Sequence, residues 1–212
     1  REWNARGYSV TYWLNNLQHH GVAQTRKRFM LIAHQVELKW RDIDRGFITT
    51  QEAIGKMRTS DLSFINAMPE KWKPWLHHVK EGDAVAETWA KLNPGANQIL
   101  SVRLNGKTYV AGRPHLMAHR IRRGRPCGVI TSVVAQMHYR WNRWLGHEEL
   151  LKLCGIPLDY KFAGRPGMWQ SEIAKAVQPP VGEYIARVCA ASVKANIPIR
   201  VPRVEFIDTR GD

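Results

Sequence analysis

The chain has 212 residues, 24.4 kDa, with 44% hydrophobic and 24% charged residues, which suits a folded protein with a real core and excludes a disordered basic tail. Lys and Arg number 32 against 18 Asp and Glu, a net charge of +14 that points to a polyanionic partner. No apolar run approaches the roughly 20 residues that span a bilayer, and three scattered cysteines, Cys127, Cys154 and Cys189, suggest neither a disulfide framework nor a zinc site, as in a reducing cytosol.

In chain order, Tyr8 to Leu14 alternates like a strand, and Asn15-Asn16 with the His19-His20-Gly21 turn interrupts it. Gln24-Thr-Arg-Lys-Arg28 then feeds Phe29 to Ala33, an apolar run short enough for a buried strand. Thr49 or Thr50 caps a short helix over Gln51 to Met57, with Glu52 in its favourable first turn. Pro69 and Pro74 make Met68 to Trp75 irregular or short helical, and Trp72 and Trp75 are packing residues there. Ile99 to Leu104 and Thr108 to Ala111 flank Asn105-Gly106, a strong hairpin signal, and Val129 to Val134 reads as a further strand. Helix returns at Glu148 to Leu153 and after Pro180, where Val181, Ile185, Val188, Cys189 and Ser192 follow one face.

The positive charge is concentrated. From Thr88 to His147 there is no Asp or Glu, while Lys91, Arg103, Lys107, Arg113, Arg120, Arg122, Arg123, Arg125, Arg140 and Arg143 all fall inside that window. Trp89, Tyr109, Tyr139, Trp141, Trp144, His115, His119 and His138 are interleaved with them. Arginine grips phosphates and planar rings pack on bases and sugars, so nucleic acid is the expected partner, bound with steep salt dependence. Charge alone leaves DNA and RNA open. The His19-His20 and His77-His78 pairs lack ligand spacing, so no metal site is expected.

Five blocks, in order, carry a family resemblance. Gly21-Val-Ala-Gln24-Thr-Arg26-Lys-Arg28 resembles the GVPQxRxR segment of DNA (cytosine-5)-methyltransferases, and Ile48 to Gly55 their short TxxxAIG helix. Arg125-Pro-Cys-Gly-Val-Ile-Thr131 is similar to RPxxTI, late in the family's recognition region. Arg143 to Glu149, with Leu153 to Phe162, resembles RxLTxRE followed by LQGFPxxYxF, and Ile173 to Val181 resembles IGNAVPPPV. Gly146, Glu148, Cys154, Ile156 and Lys175 stand where that pattern has Thr, Arg, Gln, Phe and Asn. The family's glycine-rich cofactor loop, Pro-Cys nucleophile loop and Glu-Asn-Val segment are not found in the chain, so the likeness is to the family's C-terminal portion.

The resemblance implies an α/β fold: the last strands and closing helix of a Rossmann-like domain, over residues 1–45 and 165–212, with a mixed α+β target-recognition region inserted at 46–164. It implies methyl transfer from S-adenosylmethionine to C5 of a flipped cytosine, with Gln24, Arg26 and Arg28 at the target-base pocket, the two arginines sharing one strand face. Arg103, Lys107, Arg113, Arg120, Arg122, Arg123, Arg125, Arg140 and Arg143 would contact double-stranded DNA, with Arg143 and Glu149 also orienting the recognition region. Lys175, Ala176 and Val177 would lie near the cofactor. Cys127 follows the QxRxR block, where the nucleophile should precede it, so it reads as a strand cysteine; Cys154 and Cys189 read as small core residues. Without the nucleophile and cofactor loops the chain is expected to need an N-terminal methyltransferase half, and the opening at Arg1 without methionine fits sequence lying upstream. The implied setting is a cytoplasmic, bacterial or phage-type restriction-modification system. A degenerate relative that binds DNA, or RNA, without catalysis is the alternative.

Overall fold

A computed structural model describes residues 2–40, 46–58, 70–94, 101–104, 107–110, 118–132, 136–165 and 168–209. After a single helical turn, α1 (Glu2–Ala5), strand β1 (Ser9–Asn16) runs antiparallel to β2 (Lys27–His34), with Trp13 opposite Met30 and Asn15 opposite Arg28. Both strands extend beyond the apolar runs that announce them. A backbone ladder does not require apolar side chains, so Asn15, Asn16, Lys27 and Arg28 continue the pairing. Leu17–His20 forms a 3-10 turn between the strands, closed by Gly21 in the left-handed conformation (φ 74°).

The third strand, β5 (Val204–Thr209), pairs parallel with β1 on its other side, giving the order β2-β1-β5. Met30, Trp13 and Ile207 form one rank across the sheet and meet the long helix α6 (Pro179–Ala195), whose Tyr184 and Val188 complete that core. Pro179 and Pro180 open α6 where no backbone donor is needed, and Asn196 ends it in the left-handed region. The buried stripe is Val181, Tyr184, Val188 and Ser192, so Tyr184 takes the deep position while Ile185 and Cys189 are half-buried. Among the described residues the opposite sheet face is largely uncovered. Leu31, Tyr12 and Phe206 form its central rank, and Phe29, Leu31, Val204 and Phe206 are each about half exposed or more, at 57%, 49%, 58% and 61%.

A second core joins α2 (Thr50–Ile54), α4 (His147–Leu153) and α5 (Trp169–Lys175) to the connection around Ile121, Cys127 and Ile130. Helix α2 starts one residue earlier than the sequence implies and ends at Ile54; Thr49 and Glu52 form its capping box. Its first amides also bond the carbonyls of Arg123 and Arg125. A third core gathers Trp72, Leu76, Val79, Val85, Met137 and Trp144 around the 3-10 helix Glu70–His78 and α3 (Val85–Leu92). The expected hairpin pairs β3 (Ser101–Leu104) with β4 (Lys107–Val110); its Asn105-Gly106 turn lies outside the described residues.

The expected strand at Val129 to Val134 is not formed over its described part. Cys127 makes a single parallel bridge to Gln24, after which the Ile130 carbonyl accepts a side-chain donor instead of a ladder partner; residues 133 and 134 lie outside the described set. The result is a mixed α/β chain with a small mixed sheet.

Candidate functional site

The segment Ala23–Arg28 connects three parts of the molecule. Cys127 donates its amide to the Ala23 carbonyl and accepts from the Thr25 amide, at 2.9 and 2.8 Å, stitching the segment to the 127–130 connection. Gln24 is fully buried and its amide donates to Cys154 Sγ at 3.3 Å, behind α4. Arg26 is 4% exposed; its guanidinium donates to the Ile130 carbonyl at 3.1 Å and to the Ala174 carbonyl in α5, while its amide donates to Asn16 Oδ1. Arg28 is only half-buried, and its guanidinium donates to the neighbouring Lys27 carbonyl at 3.0 Å. Burial lowers the Arg28 pKa from its usual value, though an arginine remains a cation at neutral pH.

The three pocket residues expected from sequence therefore separate. Gln24 and Arg26 are interior groups engaged with the protein, and Arg28 alone presents a guanidinium near the surface. The cysteines are equally distinct from a nucleophile. Cys127 is 1% exposed and burial raises its thiol well above the ordinary range, and burial pushes Cys154 up to about 12. Neither supplies a thiolate at neutral pH.

The expected DNA-binding cations also divide. Arg120 is 5% exposed and its five donors are all used: on the carbonyls of Leu76, Val79, His138 and Trp141 and on Asn142 Oδ1. Arg143 forms a two-pronged pair with buried Glu149, both bonds 2.8 Å, and Glu149 also accepts the Gly146 amide. The donors of these two arginines face inward, onto carbonyls, an amide oxygen and a buried carboxylate, and hold neighbouring segments together. Arg122, Arg123, Arg125 and Arg140 are exposed. Arg123 pairs with Glu81 at 2.7 Å, and Arg122 packs over Gly82, where a Cβ would strike its guanidinium. The side chains of Arg103 and Lys107, and all of Arg113, lie outside the described residues.

The sequence reading missed His138 as an organising residue. Its Nδ1 accepts the amides of Arg140 and Trp141 at 2.9 and 3.2 Å, and its Nε2 lies 3.4 Å from Glu149. An acceptor Nδ1 requires the neutral ring, and burial, outweighing the attraction of Glu149, lowers its pKa to about 4. Only the histidine ahead of a turn and two arginines signalled this in sequence. Lys175 and Val177 are exposed and Ala176 is half-buried, in the connection between α5 and α6. Among the described residues no three His, Cys, Asp or Glu side chains gather as a metal site.

The family model for C-5 cytosine-specific DNA methylase matches residues 2–191. No curated protein matches the chain. A solved structure described as a DNA modification methyltransferase encoded within a prophage (E. coli) superposes with a TM-score of 0.57 at 16% identity, a likeness of fold. It covers 90% of this chain but 62% of that one, so this chain spans less than two thirds of that structure's length.

Proposed function

This chain belongs to the C-5 cytosine-specific DNA methylase family, and from that premise we propose that it is the DNA-gripping, target-recognition part of a cytosine-5 methyltransferase. The ordered match across residues 2–191 carries the reading. In this assignment residues 1–45 and 165–212 belong to the catalytic domain and 46–164 to the recognition region of a cytoplasmic, DNA-associated enzyme of bacterial or phage restriction-modification type. Among the described residues no helix is long and apolar enough to cross a membrane.

Methylation at C5 requires a flipped cytosine, a thiolate that adds to C6, and a methyl donor. S-adenosylmethionine supplies the methyl group in this family. Lys175, Ala176 and Val177 do not fit that cofactor by themselves: two are exposed, and Lys175 brings a cation toward a ligand that already carries a sulfonium. No step is therefore assigned to them. The role left to this chain is to bind duplex DNA with Arg122, Arg125 and Arg140, and to present Arg28, whose guanidinium has no carboxylate partner among the described residues, to the flipped base. Arg26 sets that strand mouth against α5 and the 127–130 connection.

Nucleophile and cofactor loop come from an N-terminal methyltransferase half in this proposal. The exposed apolar side chains of Phe29, Leu31 and Phe206 support it, because the Rossmann-like domain proposed here would have both faces of its sheet covered. The test is transfer of a tritiated methyl group from S-adenosylmethionine to duplex DNA, with this chain alone and with a neighbouring-frame half carrying a Pro-Cys loop. Transfer only with both supports the reading. Salt-sensitive DNA binding without transfer by any combination favours the non-catalytic binder instead, a reading to which Lys175 in place of Asn lends weight.

A further inference from the structure

Resting on the DNA-binding reading above, we propose that the turn from His138 to Arg143 is a prebuilt DNA-contact element: Trp141 packs its indole on an unstacked base, and Arg140 holds the adjoining phosphate. Two features of the turn support this role.

The first is rigidity. His138 Nδ1 accepts the Arg140 and Trp141 amides, the Arg143 amide donates to the Trp141 carbonyl at 2.8 Å, and the His138 amide donates to the Arg143 carbonyl at 3.0 Å. From below, the buried Arg120 donates to the carbonyls of His138 and Trp141 and to Asn142 Oδ1, at 3.0, 3.3 and 2.5 Å. The Arg143–Glu149 pair anchors the far end. A buried arginine that commits three of its five hydrogen bonds to one surface turn, and ties the other two to the carbonyls of Leu76 and Val79, fixes that turn before any ligand arrives, which spares the ordering cost of binding.

The second is what the turn presents. Trp141 is 41% exposed, although Trp72 and Trp144 nearby are buried, and the Arg140 guanidinium lies 4.7 Å over its ring. Arg140 has no carboxylate partner among the described residues. An indole with a cation on it suits a base flanked by phosphate, since the ring offers a stacking face and the guanidinium neutralises the backbone charge. Location agrees. Arg120 and Met137 bridge in parallel, supported by Ile121 to Met137 and Met137 to His119 backbone bonds, so the two segments leave this ladder at the same end. One continues into the exposed Arg122–Arg125 loop and the other into the Arg140–Trp141 turn.

The experiment is fluorescence anisotropy of the full chain with a labelled duplex, fully paired or with one abasic site that leaves its neighbours unstacked, across a salt series. Trp141→Ala is expected to weaken binding about tenfold on the abasic duplex, the range of a lost base-aromatic stack, with a smaller loss on the paired duplex. Trp141→Phe retains most of the affinity and neither change alters the salt slope. Arg140→Ala lowers that slope by about 1, one phosphate contact. If the wild type binds in a salt-dependent manner and both alanine variants match it in affinity and slope, the turn is not a contact element while the DNA-binding reading stands. If the wild type binds neither duplex, both fall.

Discussion

Acidification should destabilise this protein through His138. In the native turn its ring is neutral, with Nδ1 accepting two amides, and burial holds its pKa at about 4 against an ordinary 6.5. The unfolded chain therefore takes up the proton first as pH falls, so stability is whole above about 6.5, declines below it and levels off below about 4. Between pH 7.5 and pH 5.0 the loss is about 2 kcal/mol, from RT times the logarithm of the ratio of the two states' protonation factors. His138→Asn replaces the ring with a side chain whose carbonyl oxygen can accept the same amides but does not titrate. Urea denaturation followed by tryptophan fluorescence, at both pH values, isolates the effect. His147, whose pKa burial also lowers, contributes equally to both proteins and cancels in the difference. Wild type should lose about 2 kcal/mol more than His138→Asn; equal losses would falsify the assignment of a buried neutral His138.

Arg26→Ala should destabilise the fold by about 3 kcal/mol or more, because it strips two buried carbonyls of a charged donor, whereas Arg28→Ala should cost less than about 1 kcal/mol; urea midpoints decide, and equal costs would return Arg26 to the surface. When paired with an N-terminal half, Arg28→Ala should lower methyl transfer far more than DNA affinity, and comparable losses would take Arg28 out of the target pocket. In the native protein at pH 8 a thiol reagent should modify half-buried Cys189 and leave Cys127 and Cys154 untouched, read by mass spectrometry; prompt labelling of Cys127 would contradict its burial. Phe29→Asp with Phe206→Asp should leave the free chain's stability within about 1 kcal/mol, since both side chains are exposed, yet abolish association with the N-terminal half in sedimentation; unchanged association would free the bare sheet face of that role.

The alternation of Tyr8 to Leu14 and the apolar run from Phe29 made the central hairpin legible, and Thr49 with Glu52 marked the start of α2 because capping chemistry is local. Strand β5 was not legible. Val204 and Phe206 do alternate with Glu205 and Ile207, but the strand's place depends on pairing with β1, some 190 residues away, which no local pattern encodes. The stretch at Val129 misled for a related reason: β-branched residues favour a strand, yet the Ile130 carbonyl is taken by Arg26. At the candidate site the order of motifs announced the family, while the depth of each side chain was hidden. Arg26 and Arg28 are two residues apart, and one is nearly fully buried where the other is half-exposed, because α5 and the 127–130 connection close over only the first.

Charge counting shows the same limit in another form. The window from Thr88 to His147 contains no acid, which reads as one uninterrupted positive surface. In the folded chain acids from just outside both ends turn back into it: Glu81 pairs with Arg123 and Glu149 with Arg143. Arg120, at its centre, faces carbonyl oxygens in the interior. Three of the window's cations are thereby removed from the outward field, and among the described residues its exposed cations without an acid partner are Lys91, Arg122, Arg125 and Arg140. Field strength at a surface depends on which charges remain uncompensated and near solvent. In the proposed DNA-binding role the interior arginines would act only through the backbone they hold, so their loss should scatter the geometry of Arg140 and Trp141 without removing a phosphate ligand.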